Sequence, residues 1–282
     1  MGIIFLNKKA GITSFDALRD IKKQLKTGKV GHTGTLDKFA QGLLIVLTEK
    51  SLKLTPWFMH CDKKYIGKIR FGEETDTLDP EGQIIAQAPL PTKEQAEAVL
   101  PKFTGDIMQA PPVYSALHIN GQRAHELARA GKTPEMKHRP VTIHKLELRS
   151  WAPPFAEIFV HCSSGTYIRS LARDIALAVG SRGHLVELTR THIAEFELQV
   201  AGSREQTLFP IDKDVIGKLG LSVMDITPEQ VQHIRHGKPL DFLSVLSASV
   251  PPRESLALFH DERLIAIIQK NDGKWVYGTV FT

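Results

Sequence analysis

The chain has 282 residues, 42% apolar and 24% charged, with a net charge of +5 and a pI near 9.1. That is the composition of an ordinary globular protein, and no stretch has the unbroken apolar length that a membrane span needs. The length suits one large catalytic domain with a small appendage, or two ordinary domains. The basic charge is unevenly spread: residues 1–70 hold 14 basic against 5 acidic groups, residues 71–110 hold 2 against 8, and residues 111–149 hold 7 against 3. A basic region of this size suits a polyanion, and on charge alone a plain solvated lysine face fits as well.

The opening apolar run is too short for a signal peptide and reads as a strand over 2–6. Thr13 and Ser14 offer N-caps for a helix through about Leu25, with Leu18, Ile21 and Leu25 on one face and Arg19, Lys22, Lys23 and Lys26 on the other. A glycine-rich segment, GHTGTLDKFAQG at 31–42, leads into the apolar run Leu43–Leu47. Alternation predicts strands at 64–71 and 83–86, around the acidic turn EETDTLDPEG at 73–82. Thr92 and Gln95 form a capping box, and Pro111 and Pro112 break regular structure across 109–115. A helix follows at 123–131, closed by Gly131, then a polar basic loop at 132–140. A strand at 155–161 leads through SSGTYIR to a helix ending near Gly180, and 192–200 alternates like a strand.

Past about residue 222 the texture changes. Thr227 as N-cap, Pro228 at the first helical position and Gly237 as stop define a helix, and strands follow near 255–260, 262–269 and 274–281. The expected architecture is mixed α/β: a catalytic domain over 1–222 with a large, mainly antiparallel mixed sheet, and a small β-rich module over 223–282.

The candidates for chemistry are few. P-loop, dinucleotide and G-x-S-x-G signatures are absent, so no nucleotide cofactor is expected. Cys61 and Cys162 each adjoin a histidine without zinc-ligand spacing, so no metal is expected; they read as buried thiols of a reducing cytoplasm. What remains is Asp37, a lone acid in the basic glycine loop. Cations nearby would lower its pKa and keep it ionised, and a fixed carboxylate can act as a nucleophile. A helix N-cap aspartate fits the same local pattern.

The motif GHTGTLD followed by A-x-G-L-L resembles the signature of the TruB family of pseudouridine synthases. Further family motifs follow in order: Lys64-Tyr65, GEETDTLDPEG at 72–82, QAPPVYSA at 109–116, GQRAHELARAG at 121–131 and CSSGTYIR at 162–169. The likeness covers nearly all of residues 1–200, and the last sixty residues more weakly resemble a PUA-type RNA-binding module. It implies Asp37 as the nucleophile, Tyr65 stacking on the target uracil, Tyr167 helping to deprotonate C5, and Arg169 pairing with the aspartate. His32 would fill space beside the extruded nucleotide, and Leu188 would wall the pocket. Lys38, Gln41, Lys9, His118 and His125 depart from the usual family residues.

The implied reaction detaches uracil at N1 and reattaches it at C5. It changes neither atom count nor redox state and needs no cofactor. The implied partner is tRNA, at uridine 55 of the T-loop, bound by a cytoplasmic monomer. The base must leave its stack to reach the carboxylate, and Lys22, Lys23 and Arg123 would meet phosphates. Two other readings fit the scaffold: a non-catalytic tRNA-folding chaperone, and a guide-RNA-dependent synthase.

Overall fold

The computed structural model describes residues 1–115, 117–119, 121–129, 136–198, 207–240 and 255–281. In chain order the first part contains β1 (Gly2–Lys8), α1 (Arg19–Gln24), β2 (Val30–His32), β3 (Gln41–Thr48), α2 (Thr55–His60) and β4 (Lys63–Phe71). Next come β5 (Glu73–Thr75), β6 (Ile84–Gln87), α3 (Lys93–Val99), β7 (Gly105–Gln109), β8 (His118–Ile119), β9 (Gln122–Arg123) and α4 (Ala124–Arg129). Then follow β10 (Arg139–Ala152), β11 (Phe155–Cys162), α5 (Ile168–Ala178), β12 (Gly183–Ile193) and β13 (Phe196–Glu197).

The large sheet runs β1-β3-β12-β4-β11-β10-β7, with β2 also on β3 and β13 on β12. Among its described pairings only β3 with β12 is parallel. Burial explains which strands alternate. The strands β1 and β3 are apolar throughout because both faces are covered. Ile3, Leu43, Ile45 and Leu47 pack with Phe58 and Phe196 on one side, and Ile4, Leu6, Leu44 and Val46 pack with Leu18 and Ile21 on the other. By contrast, β4 and β11 alternate, because Ile168, Leu171, Ala172 and Ile175 of α5 cover only their inner face.

The C-terminal part adds a four-stranded sheet in the order β14 (Ser222–Asp225), β15 (Ser255–His260), β16 (Arg263–Asn271), β17 (Lys274–Val280). Its helix, Pro228–Arg235, has Thr227 as N-cap, as expected, and Gln230 completes a capping box that the sequence reading did not name. This sheet is packed onto the first: Ala257, Phe259, Leu264, Ile267 and Phe281 share a core with Ile3, Phe5 and Leu43. Among the described residues no helix is long and apolar enough to cross a membrane.

Several sequence expectations are corrected. The first helix is shorter: a 3₁₀ turn at Asp16–Leu18 precedes α1, and the Thr13 hydroxyl accepts from the Asp16 amide rather than capping an α-helix. The polar loop expected at 132–140 ends early, because Arg139 opens the long strand β10. The helix stop at Gly131 lies outside the described residues. The alternation read over 192–200 spans the end of β12, a turn and β13, and 199–200 lie outside the described residues. Cys162 is buried as expected, whereas Cys61 is only half-buried.

Candidate active site

The loop carrying Asp37 is fixed from three directions. From β1, the buried Lys8 ammonium reaches the carbonyls of Ala40 (2.6 Å), Ile12 (2.8 Å), Lys9 (3.0 Å) and Lys38 (3.4 Å). Burial lowers its pKa to about 8, against the pull of Asp37. From the segment before α1, the Ser14 hydroxyl donates to the Leu36 carbonyl (3.0 Å) and accepts from the Leu36 amide (2.9 Å). From β12, the buried Arg190 donates to the carbonyls of Leu43 (2.8 Å), Gly34 (3.1 Å) and Thr35 (3.4 Å). Gly42 closes the loop with φ +110°, and a Cβ there would collide with the Arg190 carbonyl. Only glycine fits that approach.

Arg169, in the first turn of α5, joins the distant pieces. Its Nε lies 2.9 Å from Asp37 Oδ2, and its Nη2 donates to Asp37 Oδ1 at 3.2 Å. Nη1 donates to Asp79 Oδ2 (2.9 Å) and the Thr77 carbonyl (2.8 Å), and Nη2 also donates to the Tyr114 carbonyl (3.0 Å). The planar guanidinium therefore ties the Asp37 loop to the acidic turn at 73–82 and to the QAPPVYS segment. Asp79 is itself held by the Thr77 hydroxyl (2.6 Å) and the Glu81 amide (3.0 Å).

The electrostatic expectation for Asp37 is overturned. Its carboxyl pKa is raised, because burial outweighs Arg169, with Asp79 acting in the same sense as burial and Lys8 against it. The sequence showed the cations but not how the surrounding atoms crowd this carboxyl, whose side chain is half-buried.

Tyr65 lies on the inner face of β4, in the core with Leu36, Ala40 and Leu188. Burial pushes its phenol up to about 12, and Arg190 hydrogen-bonds it. Leu188 belongs to β12, one strand across. His32 on β2 has a buried Nδ1 without a hydrogen-bond partner, and burial lowers its pKa. Tyr167 is the N-cap residue of α5, two positions before Arg169. Its backbone is bracketed by Gln109, which accepts from the Tyr167 amide (2.8 Å) and donates to its carbonyl (3.2 Å), while Arg139 lies over its ring at 4.7 Å.

Of the basic groups, Lys22 sits over the exposed Phe15 ring at 4.7 Å and Lys23 is exposed on α1. Arg123 lies in β9, and its side chain lies outside the described residues. The open groove of about 1080 Å³ lined by Glu97, Thr104, Lys145 and Arg149 contains none of these residues.

Reasoning from sequence missed Lys8, Asp79 and Arg190. Asp79 stood within a quoted motif, but nothing local marked it as the partner of Arg169. Two departures from the family pattern prove to be anchored. Lys38 pairs with Glu81 at 2.8 Å, and the Gln41 amide donates to the Thr189 hydroxyl at 3.2 Å.

The arrangement is a loop carboxylate held by one helix arginine, beside a buried tyrosine. Solved structures share this fold over its whole length. A chain of a Cbf5-Nop10-Gar1 complex superposes with a TM-score of 0.71 at 23% identity, over 100% of this chain and 85% of that one. A chain from an H/ACA RNP bound to a substrate RNA gives 0.69 at 22%, over 100% and 85%. The sequence profile described as TruB family pseudouridylate synthase (N terminal domain) matches residues 22–168. The tRNA pseudouridine synthase B of Francisella tularensis subsp. novicida is 37% identical over 99% of this chain and 94% of its own. That of Borreliella burgdorferi strain ZS7 is 43% identical over 70% and 71%. The chain belongs to the TruB family of pseudouridylate synthases.

Proposed function

We propose that this isomerase converts uridine to pseudouridine in tRNA, at position 55 of the T-loop, with Asp37 as nucleophile. The observation that carries the reading is the two-point contact of Arg169 with Asp37, which aims the carboxylate while Lys8, Ser14 and Arg190 fix its loop. The relatives named tRNA pseudouridine synthase B supply the substrate class. Extruding the uridine costs a few kcal/mol, offset by stacking on Tyr65, worth ~1–3 kcal/mol. His32 and Leu188 line the space for the extruded nucleotide. Tyr167, at the opening of α5, assists proton removal from C5 after reattachment. Lys22, Lys23 and Arg123 take phosphates, and residues 223–282 act as a PUA-like RNA-binding module. The enzyme works as a cytoplasmic monomer without a cofactor.

The test is tritium release from tRNA transcript carrying [5-³H]uridine, with wild type and Asp37→Asn. Wild type releases tritium, and the variant falls by about 10³-fold or more while still binding tRNA. Equal release by both would show that another group is the nucleophile. Binding without release by either protein would favour an RNA-folding role.

A further inference from the structure

The fold gathers three side chains that no sequence spacing links. Asp62 stands just before β4, His144 lies in β10 and His161 near the end of β11. Across the β10–β11 ladder, Ile143 pairs with Cys162 and Lys145 with His161, so His144 is an extra residue in a bulge. A bulge sets two residues against one and re-aims a side chain. Accordingly His144 and Lys145 are both exposed, against the usual alternation, and the His144 ring lies 4.7 Å from the His161 ring.

The geometry converges on the carboxylate. Asp62 Oδ2 is 3.1 Å from His144 Nε2 and 3.8 Å from His161 Nε2. One donor atom from each of the three lies within 4.8 Å of the other two. Zinc bonds of ~2.0–2.1 Å place tetrahedral donors roughly 3.3 Å apart, so small side-chain rotations close this set around one ion. All three groups are half-exposed, with side-chain accessibilities of 37% for His144, 31% for His161 and 45% for Asp62, which gives an ion a path from solvent. Neighbouring donors are otherwise engaged: the Cys61 thiol donates to the Trp57 carbonyl (3.2 Å), and His192 Nε2 faces Glu197 at 3.5 Å.

We propose that Asp62, His144 and His161 bind a divalent ion of the zinc class through two imidazole nitrogens and one carboxylate. The ion clamps the bulged stretch of β10 and the end of β11 to the entry of β4, and water takes the open coordination position. Imidazole with carboxylate suits Zn²⁺ and Co²⁺, whereas Mg²⁺ prefers an all-oxygen shell. This site is independent of the Asp37 loop and of the RNA chemistry assigned to it.

The experiment uses the full chain with any purification tag removed and metal stripped by chelator. Zn²⁺ is titrated calorimetrically into wild type, His144→Ala/His161→Ala, Asp62→Asn and His192→Ala, each first matched to wild type by circular dichroism in chelator. Wild type and His192→Ala should bind one equivalent. The double histidine variant should lose more affinity than the roughly 10–100-fold that removal of an outer-shell partner costs, and Asp62→Asn should weaken binding too. Co²⁺ substitution should give visible absorption without a thiolate charge-transfer band, and that absorption should vanish in the double variant. Failure of wild type to take up an equivalent overturns the proposal. So does equal binding by the double histidine variant, loss of binding in His192→Ala, or a thiolate band.

Discussion

Around Asp37 the chain buries Lys8, Asp79, Arg169 and Arg190, whereas the C-terminal sheet buries Leu256, Leu258, Ala266 and Ile268 and leaves its charges outside. Asp225 and Glu262, for example, pair at its surface with Lys213 from the preceding helix. Taking charges out of water costs several kcal/mol each, and partners return only part of it. A cluster of buried charges is therefore a poor source of stability and a good source of position, because each group has one satisfactory arrangement. An apolar sheet with capped helices does the reverse: it stabilises and specifies little chemistry. The consequences differ in size and in readout.

The largest effect belongs to Arg169→Met. It strands Asp37 and Asp79 without their shared cation, so chemical denaturation should show a loss of about 3–5 kcal/mol. Single-turnover assays should show nearly complete loss of isomerisation. A variant that kept most of its turnover would break the view that Arg169 positions the carboxylate.

Next in size is Lys8→Met. It keeps the apolar stem but leaves the carbonyls of Ile12 and Ala40 without their donor, which costs about 1–3 kcal/mol. Turnover should fall more than tRNA binding, since the loop loosens without losing phosphate contacts. Unchanged turnover would assign Lys8 a purely structural part.

A pH profile sharpens the same region. The proposed nucleophile must be ionised to act, and burial raises the Asp37 pKa above its ordinary value of 3.8. The protonated, inactive form therefore persists to higher pH than for an exposed aspartate. The rate should fall as pH drops through that raised value, placing the acid limb above the ordinary carboxylate range. Arg169 opposes the shift, so any residual activity of Arg169→Met should have its acid limb at still higher pH. A limb unmoved by Arg169→Met would detach the limb from Asp37.

The two regions also differ in how far the sequence reveals them. The Thr92 capping box and the Thr227 N-cap are local signals, and the structure shows both as read. The Asp37 loop stood out because three glycines and an acid in a basic segment are locally odd, but it was the resemblance of its motif to the family signature that marked the aspartate. Its supports were not. Arg190 sits on β12, whose bulges between Leu185 and Glu187 and between Arg190 and His192 destroy the period of two. The same defect hid β10, bulged at His144 and again between Leu148 and Ser150. Lys8 looked like one of many surface lysines, and only the meeting of β1 with the loop buries it. Hydrogen bonds between residues as far apart as Asp79 and Arg169 leave no mark on spacing.

The smallest effect tests the other side of the comparison. Thr227 accepts from the Gln230 amide at 3.3 Å, and the Gln230 side chain accepts from the Thr227 amide at 2.8 Å, so the cap satisfies two amides that the helix itself cannot. Thr227→Ala should cost about 1 kcal/mol in thermal or chemical unfolding. Because the cap lies outside the proposed isomerisation site, the single-turnover rate at saturating tRNA should equal that of wild type. A fall in that rate larger than the loss of folded protein would mean that the C-terminal sheet, which shares a core with Ile3 and Leu43, transmits its packing through β1 to Lys8. The division between a part that stabilises and a part that positions would then fail at β1.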